Sequence, residues 1–303
     1  MVMILIGLVT LPYAAQWYNV QEFNLAIRQP PNFKPLVSFD HYAAANTHAP
    51  QSLPRIAHRA TSWFGHDDLG RSLFYRVWPG FLVSISIGLA AATMAVIIGT
   101  AWGAFAAMFG GRVDLLMMRV VDVLYGLPYT LVVILLKVGL GPPLTDLLGG
   151  RTKYADLVIL FVAIGGVSWL TMARVVRGQV LSLRAQPFVE AARAMGAGPW
   201  HILRRHMFPN LVGPIATYAT LIVPQAILQE SFLSFLGIGV QPPVPSLGRL
   251  AAEGVEAVNT FVGYWWLIAF PCGVLVITLL SLNFIGDGLR DAFDPKSREA
   301  TLV

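Results

Sequence analysis

The sequence predicts an all-α membrane protein with six transmembrane helices. Three observations predict it. The 303 residues are 56% hydrophobic and only 12% charged, against about 25% charged in soluble domains. Mean hydropathy is +0.64, so lipid rather than water is the natural solvent for the exterior. Six apolar runs approach the roughly 20 residues needed to cross a hydrocarbon core, near 2–18, 81–105, 118–140, 155–173, 212–236 and 263–286. Each should be helical, because backbone in lipid must satisfy its own hydrogen bonds.

The run from Met1 to Tyr18 lacks a basic n-region and a small-residue cleavage site, so it reads as a first span and not a cleaved signal. Residues 1–80 then comprise that span and a long extracytoplasmic loop, bearing Pro and His early and a short helix, Leu69 to Val77, late. Asp67 is placed to N-cap that helix. Gly65 and Gly70 flank the Asp67-Asp68 pair, which favours a structural role over acid–base chemistry.

No metal site is expected. His41, His48, His58 and His66 form no tight i,i+3 or i,i+4 pair, and His201 and His206 lie five apart. The lone cysteine, Cys272, rules out an intrachain disulfide.

Residues 81–288 hold the other five spans. Gly126-Leu127-Pro128, Gly165-Gly166, Pro224 and Pro271 fall within them, where they permit close packing and kinks. Lys137 should snorkel at the outer end of the third span. Asp122, near its inner end, is spaced to pair with Arg119.

Cations orient the chain. Arg174, Arg177, Arg184, Arg193, Arg204 and Arg205 crowd the fourth connection, with Glu190 as its only acid. Such a loop faces the cytoplasm, and six spans place both termini there, including the tail 289–303.

The segment 186–210 is too polar to span. Pro187 suits a first helical turn, and Glu190 follows where the dipole favours an acid. Ala191, Ala192 and Ala194 are strong helix formers. Gly196 and Gly198 should end this helix, Pro199 should start a second from Trp200 to Phe208, and Pro209 should end that one. Composition leaves two readings, an interfacial loop held by lipid headgroups or a rigid docking element for a cytoplasmic protein.

Glu190-Ala191-Ala192, then Gly196, then Phe208-Pro209, resembles the EAA loop of binding-protein-dependent ABC importer permeases. Other segments resemble the peptide-importer branch of that family. They are Phe64 to Leu73 (FGHDDLGRSL), Glu230 to Pro243 (ESFLSFLGIGVQPP) and Asn283 to Lys296 (NFIGDGLRDAFDPK). Phe161 to Gln179 is similar to the oligopeptide-permease C subunit. The resemblance runs from about Gly65 to Lys296, with Ser72, Pro79 and Leu247 as departures.

The resemblance implies a type I ABC importer permease fold in the bacterial inner membrane, with a cytoplasmic coupling helix. It implies that Glu190, Ala191, Ala192, Gly196, His206 and Pro209 couple the chain to an ATPase. Gln225, Gln229 and Glu230 become candidates for a solute path or outer gate, with a polar contact inside the bundle as the alternative. Implied partners are a homologous B-type permease, two cytoplasmic ATP-binding subunits, an extracytoplasmic solute-binding protein and membrane lipid, with no nucleic acid. No cofactor is expected on this chain; ATP and Mg belong to the partners, since the sequence holds no G-x-x-x-x-G-K-[ST] loop. Oligopeptide is the leading substrate, with dipeptide, glutathione, nickel and peptide antibiotics on the same scaffold. A secondary transporter or membrane enzyme would need acid–base pairs at mid-span, of which the sequence offers few. An exporter is disfavoured, because the EAA loop belongs to importers.

Overall fold

The computed structural model describes residues 30–31, 63–150, 152–258 and 263–293. The expected first span, most of the first loop with three of its histidines, and the tail beyond 293 lie outside them. Among the described residues the regular structure is helical, apart from a lone antiparallel bridge between His66 and Ser72.

The helices are α1 (Leu73–Met94), α2 (Thr100–Phe109), α3 (Gly111–Tyr125), α4 (Tyr129–Leu147), α5 (Thr152–Arg184), α6 (Pro187–Ala194), α7 (Pro199–Ile202), α8 (Phe208–Phe235), α9 (Leu247–Ala257) and α10 (Trp266–Phe293). A π-helical turn, Ala95–Gly99, joins α1 to α2, and a second, Leu203–Met207, joins α7 to α8. Five continuous stretches among the described residues are long and apolar enough to cross a membrane. They are Leu73–Phe109, Tyr129–Leu147, Ala155–Arg184, Pro199–Phe235 and Trp266–Ala292.

Several boundaries differ from the sequence reading. Pro79 sits inside α1 and does not interrupt it, and no separate helix covers Leu69 to Val77. The third span begins at Tyr129, because the chain leaves helical geometry at Gly126–Pro128 and Pro128 is extended. Asp122 therefore lies on the separate helix α3. α5 runs on through Arg174, Arg177 and Arg184, so these arginines are helical and not in a loop.

The chain divides into two units, Met1–Ser86 with Glu230–Thr278, and Ile87–Gln229 with Leu279–Val303. In the first, Tyr75, Val77, Phe81, Leu233, Leu247 and Trp266 are buried. Phe64 stacks on Phe270 with ring centres 4.2 Å apart, and Phe74 meets Phe64 edge-on at 5.1 Å. Such pairs add about 0.5–1.5 kcal/mol beyond their burial. α9 packs on the start of α10 with Gly254 at the contact; a Cβ there would lie 2.6 Å from the Leu267 carbonyl oxygen.

In the second unit, Val121, Leu170 and Ala173 form a buried cluster beneath Trp102, Met118 and Trp169. Glycines let α5 approach closely. A Cβ at Gly99 would stand 2.6 Å from Met172 Cβ, and Gly103 rests against the Ala173 carbonyl. Small residues at crossings are how membrane helices gain packing energy without a hydrophobic driving force between them.

Arg177 makes a two-pronged pair with Asp114, Nε–Oδ1 2.6 Å and Nη2–Oδ2 2.7 Å. Arg174 pairs with Asp122 at 2.9 Å and lies 4.1 Å from the Tyr125 ring centre. Asp122 thus partners Arg174 and not Arg119. Lys137 pairs with Asp156 at 3.3 Å in place of snorkelling alone.

Candidate functional site

The segment after α5 is built from local chemistry. Gln186 is extended at the N-cap of α6, and Pro187 occupies the first turn, where its missing N–H costs nothing. The Gln186 carbonyl accepts from the Val189 and Glu190 amides. Val189 and Ala192, three apart, are buried, and α6 rests against α5 and α7. Glu190, Ala191, Ala194 and Met195 are exposed. Met195 is 81% exposed and Trp200 60%, so the outward face carries large apolar groups beside the acid.

Gly196 ends the helix by conformation. Its φ is +84°, and a Cβ would meet nothing within 4 Å. The Ala197 amide reaches the Ala192 carbonyl at 3.0 Å and the Gly196 amide reaches Arg193 at 2.9 Å, which is the Schellman pattern. Gly198 does not share that task. It is extended, with φ −71° and ψ 159°, and serves as the N-cap of α7.

Pro209 does not end the second piece. Pro199–Phe235 is one 37-residue run, and Pro209 lies two residues after Met207, the last of the π turn. A proline ring in an α-helix collides with the carbonyl four residues back. The wider π turn relieves that collision, and the Asn210 side chain donates to the His206 carbonyl at 2.7 Å. The same i to i+5 geometry puts His201 and His206 on one side, with ring centres 6.0 Å apart. Spacing by 3.6 hides that pairing.

The three path candidates separate. Gln225 and Gln229 line a cavity of about 400 Å³ with Tyr125, Tyr129, Ser168 and Thr171. Gln229 Oε1 is buried without a hydrogen-bond partner. Glu230 is fully buried and does not line that cavity. Its carboxylate accepts from Ser84 Oγ and Ser234 Oγ, each at 2.7 Å. Glu230 is therefore the polar contact within the helices.

A charged cluster in the first unit escaped the sequence reading. Asp67 does not cap a helix. Its Oδ1 accepts from the Leu69 and Arg71 amides at 2.9 and 2.8 Å, closing a turn. Its Oδ2 accepts from Arg71 Nε and Arg76 Nη1, both at 2.7 Å. Arg76 also donates to Glu253, Nη1–Oε2 2.6 Å and Nη2–Oε1 3.2 Å. Arg249 adds a contact to Glu253 at 3.4 Å, and these groups border a cavity of about 320 Å³. Burial pushes the Glu253 carboxyl up, but the charge and hydrogen bonds of Arg76, with Arg71 and Arg249, hold it below the ordinary range. Burial lowers the neighbouring His66 to about 4, with Asp67 offsetting only part. The hydrogen bond from Arg177 holds Asp114 below its ordinary value against partial burial.

The binding-protein-dependent transport system inner membrane component family matches residues 99–299. The chain belongs to that family. It is 43% identical over 248 residues to the dipeptide transport system permease protein DppC of Bacillus subtilis (strain 168), covering 82% of this chain and 72% of that protein. It is 46% identical over 236 residues to the oligopeptide transport system permease protein OppC of Escherichia coli (strain K12), covering 78% and 73%. The inward-facing MetNI methionine ABC transporter superposes with a TM-score of 0.58 at 18% identity, over 73% of this chain and 98% of that one. That likeness gives the fold, a type I importer permease. As a family member, the chain is a multi-pass inner membrane component.

Proposed function

We propose that this permease is one of two transmembrane subunits of an ATP-driven importer, and that it carries peptides, oligopeptides foremost. The observation that carries the reading is α6. It is a short helix locked by a Schellman turn, showing Glu190, Ala191 and Met195 outward and continuing within five residues into a 37-residue span. A rigid lever of that kind suits a partner that pushes. In this reading two cytoplasmic subunits bind ATP and Mg and close on nucleotide. α6, seated in one of them, moves as a body and tilts α8, and a homologous B-type permease completes the solute path. An extracytoplasmic binding protein delivers the solute and sets most of the selectivity. Both termini lie in the cytoplasm. The names of the DppC and OppC relatives support the peptide class.

The test is Glu190→Lys in cells taking up a labelled oligopeptide. Uptake should fall to background, with insertion of the chain in the membrane and solute capture by the binding protein intact. Uptake at the normal rate would overturn the coupling role. Competition by peptides of graded length, with glutathione and nickel as alternatives, then fixes the substrate.

A further inference from the structure

We infer that the second unit carries a binding site for an anionic phospholipid, formed where the second π turn meets α2 and α8. An apolar groove of about 620 Å³ runs between residues 96–105 and 208–219. Val96, Phe105, Trp200, Phe208 and Val212 are among the residues that line it. Trp200 also lines a second cavity of about 430 Å³, whose other walls are His201, Arg204 and Arg205. One indole thus borders both an oily trough and a basic mouth. Phe105 braces it, with the rings near parallel and centres 6.0 Å apart.

Charge and polarity choose the occupant. Arg204 and Arg205 are exposed and pair with no acid among the described residues. The acids of α3 are taken by Arg174 and Arg177. The groove walls belong to two stretches long and apolar enough to cross a membrane, which suits an acyl chain as occupant. A phosphate on the two guanidiniums and a chain along Val96 and Val212 would satisfy both halves at once. Trp200 would sit where indoles concentrate, at the membrane interface. A soluble protein surface could meet the basic mouth but not the trough. A second permease helix could fill the trough but would leave the arginines unpaired.

The experiment uses the full chain, extracted in detergent with the subunits that accompany it, stripped of lipid and read by native mass spectrometry. The probes are phosphatidylglycerol, phosphatidylcholine and glycerol 3-phosphate. Phosphatidylglycerol should bind, and Arg204→Gln with Arg205→Gln should weaken it about thirtyfold, a factor of about five per lost cation. Phosphatidylcholine binding should stay unchanged in that variant. Val212→Trp, which fills the trough, should weaken both lipids, and glycerol 3-phosphate should not compete. Arg204→Lys with Arg205→Lys should keep the preference, which separates lost charge from lost fold. Should neither variant purify, a photoreactive phosphatidylglycerol on the wild-type chain should label residues 200–219. Unchanged phosphatidylglycerol binding in the Gln variant, equal competition by glycerol 3-phosphate, labelling elsewhere, or a Val212→Cys cross-link to a protein subunit would each overturn the site.

Discussion

Arg76 and Glu253 are 177 residues apart in sequence and meet through two hydrogen bonds, of 2.6 and 3.2 Å. Arg76 is 3% exposed and bonds Asp67 as well, so one guanidinium ties the turn before α1 to α9. A buried cation with two carboxylates adds little net stability, because desolvation offsets the attraction, but losing one member is costly.

Arg76→Met should therefore destabilise the protein by about 3–5 kcal/mol, leaving two buried carboxylates with only Arg71 and Arg249 to neutralise them. Adding Glu253→Gln, which leaves Asp67 paired with Arg71, should recover part of the loss. Thermal unfolding of the detergent-solubilised chain reads both effects. A single variant as stable as the wild type would remove the cluster's structural role.

The His66 environment gives a pH dependence with a definite sign. Its pKa is about 4 when folded against 6.5 unfolded, so the unfolded chain binds more protons in between. Stability from a neutral His66 is full above about pH 6.5 and declines as pH falls toward about 4. Glu253, held below its ordinary value, acts in the same direction at lower pH. His66→Leu should flatten the fall of Tm between about pH 6.5 and 4.5, since Nδ1 has no hydrogen-bond partner to lose. An unchanged slope would show that the histidine does not titrate as buried.

The two glycines around the α6–α7 turn should respond differently. Gly196→Val forces a β-branched residue to positive φ, a strain of about 1–2 kcal/mol placed on the turn itself. Uptake should fall steeply, and Gly196→Asn should keep much of it, because Asn tolerates that conformation. Gly198→Ala should be near neutral, being extended with open space around it. Equal losses at both positions would mean that small size, not conformation, is what the loop requires.

Gln229 and Glu230 are neighbours with opposite expected phenotypes. Gln229→Ala should change uptake rate or peptide preference with little effect on Tm, if its cavity belongs to the path. Glu230→Ala strands the Ser84 and Ser234 hydroxyls and should lower Tm by several degrees, about 1–3 kcal/mol for unsatisfied buried groups. Tm and initial uptake rate, measured together, separate the two. A stability loss confined to Gln229 would reverse the assignment.

Features set by near neighbours in the chain were legible in the sequence. Spans can be read because membrane insertion depends on summed hydropathy over about 20 residues. Five of the six expected spans have counterparts, and the first lies outside the described residues. α6 was legible too, since Pro187, Glu190 and Gly196 act within one or two turns. Tertiary structure decided what depends on distant partners. Arg174 and Arg177 find their acid partners, Asp122 and Asp114, across 52 and 63 residues. Glu230 bonds the serines and does not line the cavity of Gln225 and Gln229, and its partner Ser84 arrives from 146 residues away. Pro209 continues a helix because a π turn opens the backbone before it, which no local propensity announces. Hydrogen bonds and ion pairs have reaches of a few ångströms, so a one-dimensional pattern carries them only when both partners lie within a turn or two.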